Sequence, residues 1–173
     1  MEEGERDMSG YMGRLLEIDL STGGISSKNL DEKIYRKYFG GRGFIAKILL
    51  DEVELATDPL GPENPLIFAT GVLTGIPVAG MPRYAVGAKS PLTGGYGQSE
   101  AGGFWGPELK KAGYDAIVLR GISPKPVYLQ IEDQMVYLRD ADNLWGKETG
   151  EVEEILKKDL GSGYKFLKIG DVG

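Results

Sequence analysis

The stretch Gly80-Met-Pro-Arg83-Tyr-Ala-Val-Gly-Ala-Lys-Ser90-Pro-Leu-Thr-Gly-Gly-Tyr-Gly-Gln-Ser-Glu100-Ala-Gly102-Gly103-Phe-Trp-Gly106 organises the chain. Arg83 opens a short apolar strand over residues 84–88. Residues 90–95 are turn formers. Residues 99–103 then read as bare backbone leading into a helix. Glycines ahead of a helix let another molecule approach main-chain N–H groups closely, and the helix start favours anions. A nearby arginine adds a forked donor for phosphate or a polar ring edge. Together these residues predict a cradle for a phosphorylated or heteroatom-rich ligand.

The rest of the composition narrows what such a cradle can do. With 173 residues the chain can form one domain with a real core, or two small lobes. Glycine takes 27 positions, about twice the roughly 7% norm, without a low-complexity tract. A net charge of −6 and a pI near 4.8 argue against a nucleic-acid surface, which needs a basic face. Cysteine and histidine are both absent. That excludes disulfides and thiolate-held metal or iron–sulfur sites within the chain, and removes the commonest general base. No apolar run approaches the ~20 residues of a membrane span. The first residues are acidic rather than basic, unlike a secretory leader. The expectation is a cytoplasmic protein that binds neither nucleic acid nor membrane.

Outward from the cradle, alternation of Leu16, Ile18 and Leu20 with Glu17 and Asp19 predicts a half-buried strand. The turn at 21–24 returns it antiparallel over 25–28. Residues 1–10 are polar and read as a disordered tail. Asp31 can cap a helix carrying Ile34, Tyr35, Tyr38 and Phe39. Gly40-Gly41-Arg42-Gly43 separates it from a second helix ending near Glu52. It matches neither phosphate-loop pattern, so it reads as a structural turn. Strands follow at 66–69 and 115–119, and a hairpin at 126–139. Between the first two, Pro107 fits the first turn of a short helix, with Lys110 and Lys111 at its C-terminal end and Gly113 stopping it. Thr149 can cap a helix over 151–159, and a last strand is expected at 164–169. This mixture predicts an α+β fold, with two mostly antiparallel β-sheets and short helices. The glycine turns at 40–44 and 102–106 echo each other, as an internal duplication would.

Each candidate site residue has a plain structural reading beside its functional one. Arg83 holds a ligand phosphate or ring, or is a surface arginine. Gly102 and Gly103 expose backbone to a ligand, or make a tight helix entry. Glu100 turns its carboxylate or its carbonyl toward a hard cation such as Mg²⁺, or is a solvated loop acid. Trp105 and Trp145 read as core or interface aromatics. Neither a catalytic carboxylate pair nor a nucleophile with an adjacent base is evident.

A run of local matches then carries a resemblance. It includes Gly13-Arg14 before a strand closing in Asp19-Leu20-Ser21-Thr22-Gly23, Tyr38-Phe39-Gly40-Gly41-Arg42-Gly43, and Asp58-Pro59-Leu60 with Pro62-Glu63-Asn64. Thr70-Gly71-Val72-Leu73-Thr74-Gly75, Arg83-Tyr84 and Lys89-Ser90-Pro91-Leu92-Thr93-Gly94 continue it. Ala101-Gly102-Gly103-Phe104, Ala112-Gly113-Tyr114-Asp115-Ala116 and Leu144-Trp145-Gly146-Lys147 complete it. In this order the sequence resembles the N-terminal domain of the tungsten-containing aldehyde:ferredoxin oxidoreductase family from residue 11 onward.

The resemblance implies a base domain of two β-sheets beneath tungsten held by two pterin dithiolenes of the molybdopterin type. Their phosphates would share a Mg²⁺. A [4Fe-4S] cluster would pass electrons to ferredoxin as an aldehyde becomes a carboxylic acid. Arg83 falls at the arginine that contacts a pterin, and Gly102 at a glycine whose backbone contacts it, with Gly103 beside it. Glu100 stands where aldehyde-oxidising members carry Asn, whose main-chain carbonyl faces Mg²⁺.

On this reading residues 11–173 are one pterin-binding domain, truncated before a second, Arg-Ala-Gly-Arg-type pterin segment. Cluster cysteines, catalytic groups and substrate pocket would belong to later domains, which are partners of this one. The chain alone would be inactive, with no catalytic residue of its own. A face that those domains normally cover could make the isolated chain a homodimer. The alternative is a non-catalytic binding or assembly module on the same fold.

Overall fold

The computed structural model describes residues 10–169. All of the expected N-terminal tail except Gly10 therefore lies outside the described residues. The chain forms two compact units divided after Ile122, each with its own core.

In the first unit, β1 (Arg14–Asp19) and β2 (Gly24–Asn29) form the expected hairpin. Asp19 Oδ1 accepts from the Ser21 and Thr22 N–H groups and tightens its turn. Helices α1 (Glu32–Tyr38) and α2 (Arg42–Glu52) come next, then β3 (Leu66–Thr70), β4 (Tyr84–Lys89), β5 (Tyr96–Ala101), α3 (Trp105–Lys111) and β6 (Ala116–Arg120). The sheet order is β2-β1-β6-β3-β4-β5. Every pairing is antiparallel except β1 with β6. The elements run β-β-α-α-β and then β-β-α-β, and the strand order is palindromic about β6 and β3. The equivalent pairs differ in polarity, since β1–β6 is parallel and β4–β3 antiparallel.

Asp31 caps α1 as expected, accepting from Lys33 N at 2.8 Å. The turn to α2 is built on glycine. Gly40 and Gly41 have positive φ, and a Cβ on Gly43 would stand 2.0 Å from the Tyr38 carbonyl oxygen. The two helices cover one sheet face. Tyr35, Phe44, Ile45 and Leu49 pack there on Leu15, Ile67, Ala69, Ala85, Ala116 and Val118. Gly87 lets α2 lie directly on β4, because a Cβ there would meet Ile45 Cγ2 at 2.6 Å.

Several expectations need correction or completion. Residues 99–101 belong to edge strand β5 rather than to a bare loop, because β4 supplies a hydrogen-bonded partner for them. Lys110 does sit in the last turn of α3, but it is turned inward. It is 6% exposed, and its ammonium donates to the carbonyls of Gly10, Gly71 and Val72. Trp145 is 77% exposed and not a core residue, whereas Trp105 packs against Tyr84 and Phe68.

The second unit contains the hairpin of β7 (Val127–Glu132) and β8 (Met135–Asp140), closed by Asp133 and Gln134 at positive φ. Helix α4 (Thr149–Leu160) follows. Thr149 is its first residue and not its cap; Glu148 takes that position without a side-chain bond. Ala141, Leu144 and Leu156 form the core, with Phe166 packed against it. The strand expected at 164–169 is not formed, since no other strand pairs with it. No described helix is long and apolar enough to cross a membrane.

Candidate cofactor-binding site

Antiparallel pairing sets the predicted site residues side by side. Tyr84 lies opposite Ala101 and Ala85 opposite Glu100, so Arg83 and Gly102 flank the same end of the β4–β5 ribbon. The Gly40–Gly71 bridge and a 2.9 Å bond from Gly41 N to the Thr70 carbonyl bring the start of α2 to the end of β3, beside β4. Arg42 thereby reaches β5. Its Nε lies 2.9 Å from Glu100 Oε1, and Arg83 Nη1 lies 3.8 Å from Glu100 Oε2. Both arginine side chains are 65% exposed, and that of Glu100 30%.

The ladder also decides where the main chain of Glu100 points. Lys89 turns its N–H and carbonyl to the Asn64 side chain at 2.9 Å each, away from Tyr96. Ser90 N, the next residue, bonds the Gly95 carbonyl at 2.8 Å. In an antiparallel pair this phase alternates. Tyr96, Gln98 and Glu100 therefore direct their N–H and C=O groups to the outer edge of the sheet, where β5 has no neighbouring strand. Their side chains share the face toward α2. Tyr96 donates to Gln98 Oε1 at 2.9 Å, and with Arg42, Gly43 and Ala46 these residues line an open groove. Burial raises the Tyr96 phenol above its ordinary value.

Beyond β5 the backbone is bare. A Cβ built on Gly102 or Gly103 would meet nothing within 4 Å, and Gly103 has φ +90°. The space beside both residues is thus open to another molecule, as a cradle requires. The Glu100 carboxylate is paired with two guanidinium groups, while its carbonyl faces the open edge. Of the two cation-facing possibilities, the carbonyl is the one this geometry leaves free. No cluster of three acidic, histidine or cysteine groups suited to a metal exists among the described residues.

The sequence pointed to Arg83, Glu100, Gly102 and Gly103, and the fold brings all four together. It did not point to Arg42, whose glycine turn accounted for itself structurally. A second arginine beside a close-approach glycine was the available signal.

The chain is thus an α+β domain with one open wall, on which exposed arginines, a free strand edge and bare glycines adjoin. It contains no cysteine and no histidine. The family model described as aldehyde ferredoxin oxidoreductase, N-terminal domain, matches residues 15–173, and the chain belongs to that family. It is 45% identical over 166 residues to the tungsten-containing aldehyde ferredoxin oxidoreductase of Pyrococcus furiosus, covering 96% of this chain and 27% of the relative. The aliphatic sulfonate oxidoreductase WOR-like subunit of the same organism is 40% identical over 156 residues, covering 88% of this chain and 25% of that protein. Among solved structures, the BamBC active-site complex of benzoyl coenzyme A reductase, bound to 1,5-dienoyl-CoA, superposes with a TM-score of 0.86. It is 46% identical and is matched over 90% of this chain and 24% of its own. The chain therefore spans about a quarter of the length of these relatives.

Proposed function

We propose that this chain is the pterin-binding wall of a tungsten oxidoreductase and acts only with the domains that complete the enzyme. The observation that carries the reading is the alignment of Arg83, the outward carbonyl of Glu100 and the open Gly102–Gly103 backbone along one sheet edge. A pterin with a phosphate tail asks for that combination: a guanidinium for the phosphate and approachable main chain for the ring edge. Arg83 would hold the phosphate, Gly102 and Gly103 the heterocycle, and the Glu100 carbonyl a Mg²⁺ shared between phosphates. The tungsten–pterin group, when bound, supplies the redox chemistry.

Aldehyde oxidation with ferredoxin as acceptor, a [4Fe-4S] cluster in the completing domains and a cytoplasmic location come with the family and are proposed on that basis. The relatives' names include an aldehyde, an aliphatic sulfonate and a benzoyl-CoA enzyme at comparable identity. Such breadth fits a domain that binds the cofactor and leaves the choice of substrate to other parts of the enzyme.

The test is the tungsten and pterin content of the protein produced together with its completing domains. Arg83→Ala should lower both severalfold, and unchanged content would remove the reading. The chain by itself should show no aldehyde-dependent dye reduction. Size-exclusion chromatography should show it as a homodimer, through the face the other domains would cover; a clean monomer at high concentration would remove that element.

A further inference from the structure

Arg42 and Arg83 arise from different elements, yet one carboxylate touches both. Exposed ion pairs of this kind add little to stability, so folding does not require the arrangement. It does bring two guanidinium groups to one carboxylate, and Arg42 also lines the open groove with Gly43, Ala46, Tyr96 and Gln98. Like charges so placed repel unless an anion lies between them, and Glu100 is that anion. Two guanidiniums and one carboxylate leave a charge of +1. A singly charged anion gains little by displacing a carboxylate already in place. A doubly charged phosphate matches both guanidiniums and outcompetes it, because charge-assisted bonds strengthen with the charge of the acceptor.

We propose that Arg42, Glu100 and Arg83 form an exchangeable anion site that selects doubly charged phosphate groups. Arg42 is its second phosphate contact, and Glu100 is the internal competitor that excludes weaker anions. The role of Arg83 rests on the reading above; those of Arg42 and the Glu100 side chain extend it.

The test uses the 173-residue chain at pH 8, titrated with pyrophosphate and with dimethyl phosphate, which carries a single charge. Calorimetry gives the affinities, and the arginine Nε resonances show where each ligand sits. Pyrophosphate should bind at least about tenfold tighter than dimethyl phosphate and shift the Nε signals of Arg42 and Arg83 together. Arg42→Gln and Arg83→Gln should each weaken pyrophosphate about fivefold or more. Glu100→Gln should strengthen dimethyl phosphate and narrow the preference to within about threefold. All three side chains are solvent-accessible, so the variants should fold, as far-UV circular dichroism will verify.

Failure of the chain to bind pyrophosphate overturns the proposal. So does an Arg42→Gln chain that binds it as well as the parent, or a Glu100→Gln chain with the same preference. The tungsten and pterin content of the completed enzyme is a separate readout. Loss of that reading alongside intact pyrophosphate selectivity would leave this site with a different phosphorylated ligand.

Discussion

Asp115 and Glu100 are both carboxylates that gather donors from distant parts of the first unit, and they do so in opposite surroundings. Asp115 is 1% exposed. Its Oδ2 accepts from Met12 N, Gly13 N and Tyr35 Oη at 2.8 Å each, and its main-chain oxygen accepts from Thr70 N and Thr70 Oγ1. Glu100 lies among charged, solvent-exposed side chains. Around Asp115 the partners are neutral backbone and phenol groups that cannot leave, so the carboxylate pins the start of β1 to α1 while its main-chain oxygen holds the end of β3. Around Glu100 both partners are exposed cations that water or another anion can take over. Burial makes one carboxylate a structural rivet, and exposure leaves the other free to exchange.

The sharpest break of that contrast is Asp115→Ala. Losing three bonds to a buried charged acceptor should cost about 4 kcal/mol in urea unfolding. A loss below about 1 kcal/mol would mean that Asp115 is no more structural than Glu100. Gly43→Ala tests the turn that delivers Arg42. With its Cβ 2.0 Å from a backbone oxygen, it should lose about 2–3 kcal/mol. Tyr35→Phe removes a single donor to Asp115 and should cost about 1–2 kcal/mol.

The pH dependence separates the carboxylates further. Burial raises Asp115 above its ordinary 3.8, outweighing the lowering effects of Tyr35 and Lys110. The folded state then holds the proton more tightly than the unfolded state. The contribution of Asp115 is therefore fully present below 3.8 and is lost as pH rises through its raised folded value. Asp115→Asn should remove this downward slope, which for one group is at most about 1.4 kcal/mol per pH unit. Glu153, in the second unit, runs the other way. Lys157 and Lys168 hold it to about 2, so its contribution is present above its ordinary 4.5 and fades as pH falls toward 2. The smallest expected effect is that of Glu100→Gln on stability, within about 0.5 kcal/mol, even though its effect on anion selectivity is the one sought.

The sequence exposed these two carboxylates unequally. Glu100 was visible because it stands in a glycine-rich run next to a matching arginine. Asp115 read only as the start of a buried strand, since its partners lie about a hundred positions earlier at Met12 and Gly13, eighty at Tyr35, and forty-five at Thr70. Local signals fared best where the cause was local: the Asp31 cap, the β1–β2 turn and the stop at Gly113 all formed. Where the cause was a remote partner they misled. Lys110 sits in the last turn of α3 as its position suggests, but its burial under the Gly71 loop has no local sign. Residues 99–101 carry no strong strand propensity and are extended because β4 lies beside them. The Lys165-Phe-Leu-Lys-Ile169 alternation lacks such a neighbour and stays irregular.

Strand β6 lies between β1 and β3, both of which precede it in the chain. A ribosome therefore releases two separate sub-sheets, β2-β1 and β3-β4-β5, each with an unsatisfied inner edge. They can be joined only once residues 116–120 emerge. Pairings this remote in sequence form slowly, and open edges invite contact with other nascent chains. Ala116 and Val118 also complete the core beneath α1 and α2. Folding of the first unit thus has a step of assembly that waits for β6, in which one five-residue segment closes the sheet and seals the interior together.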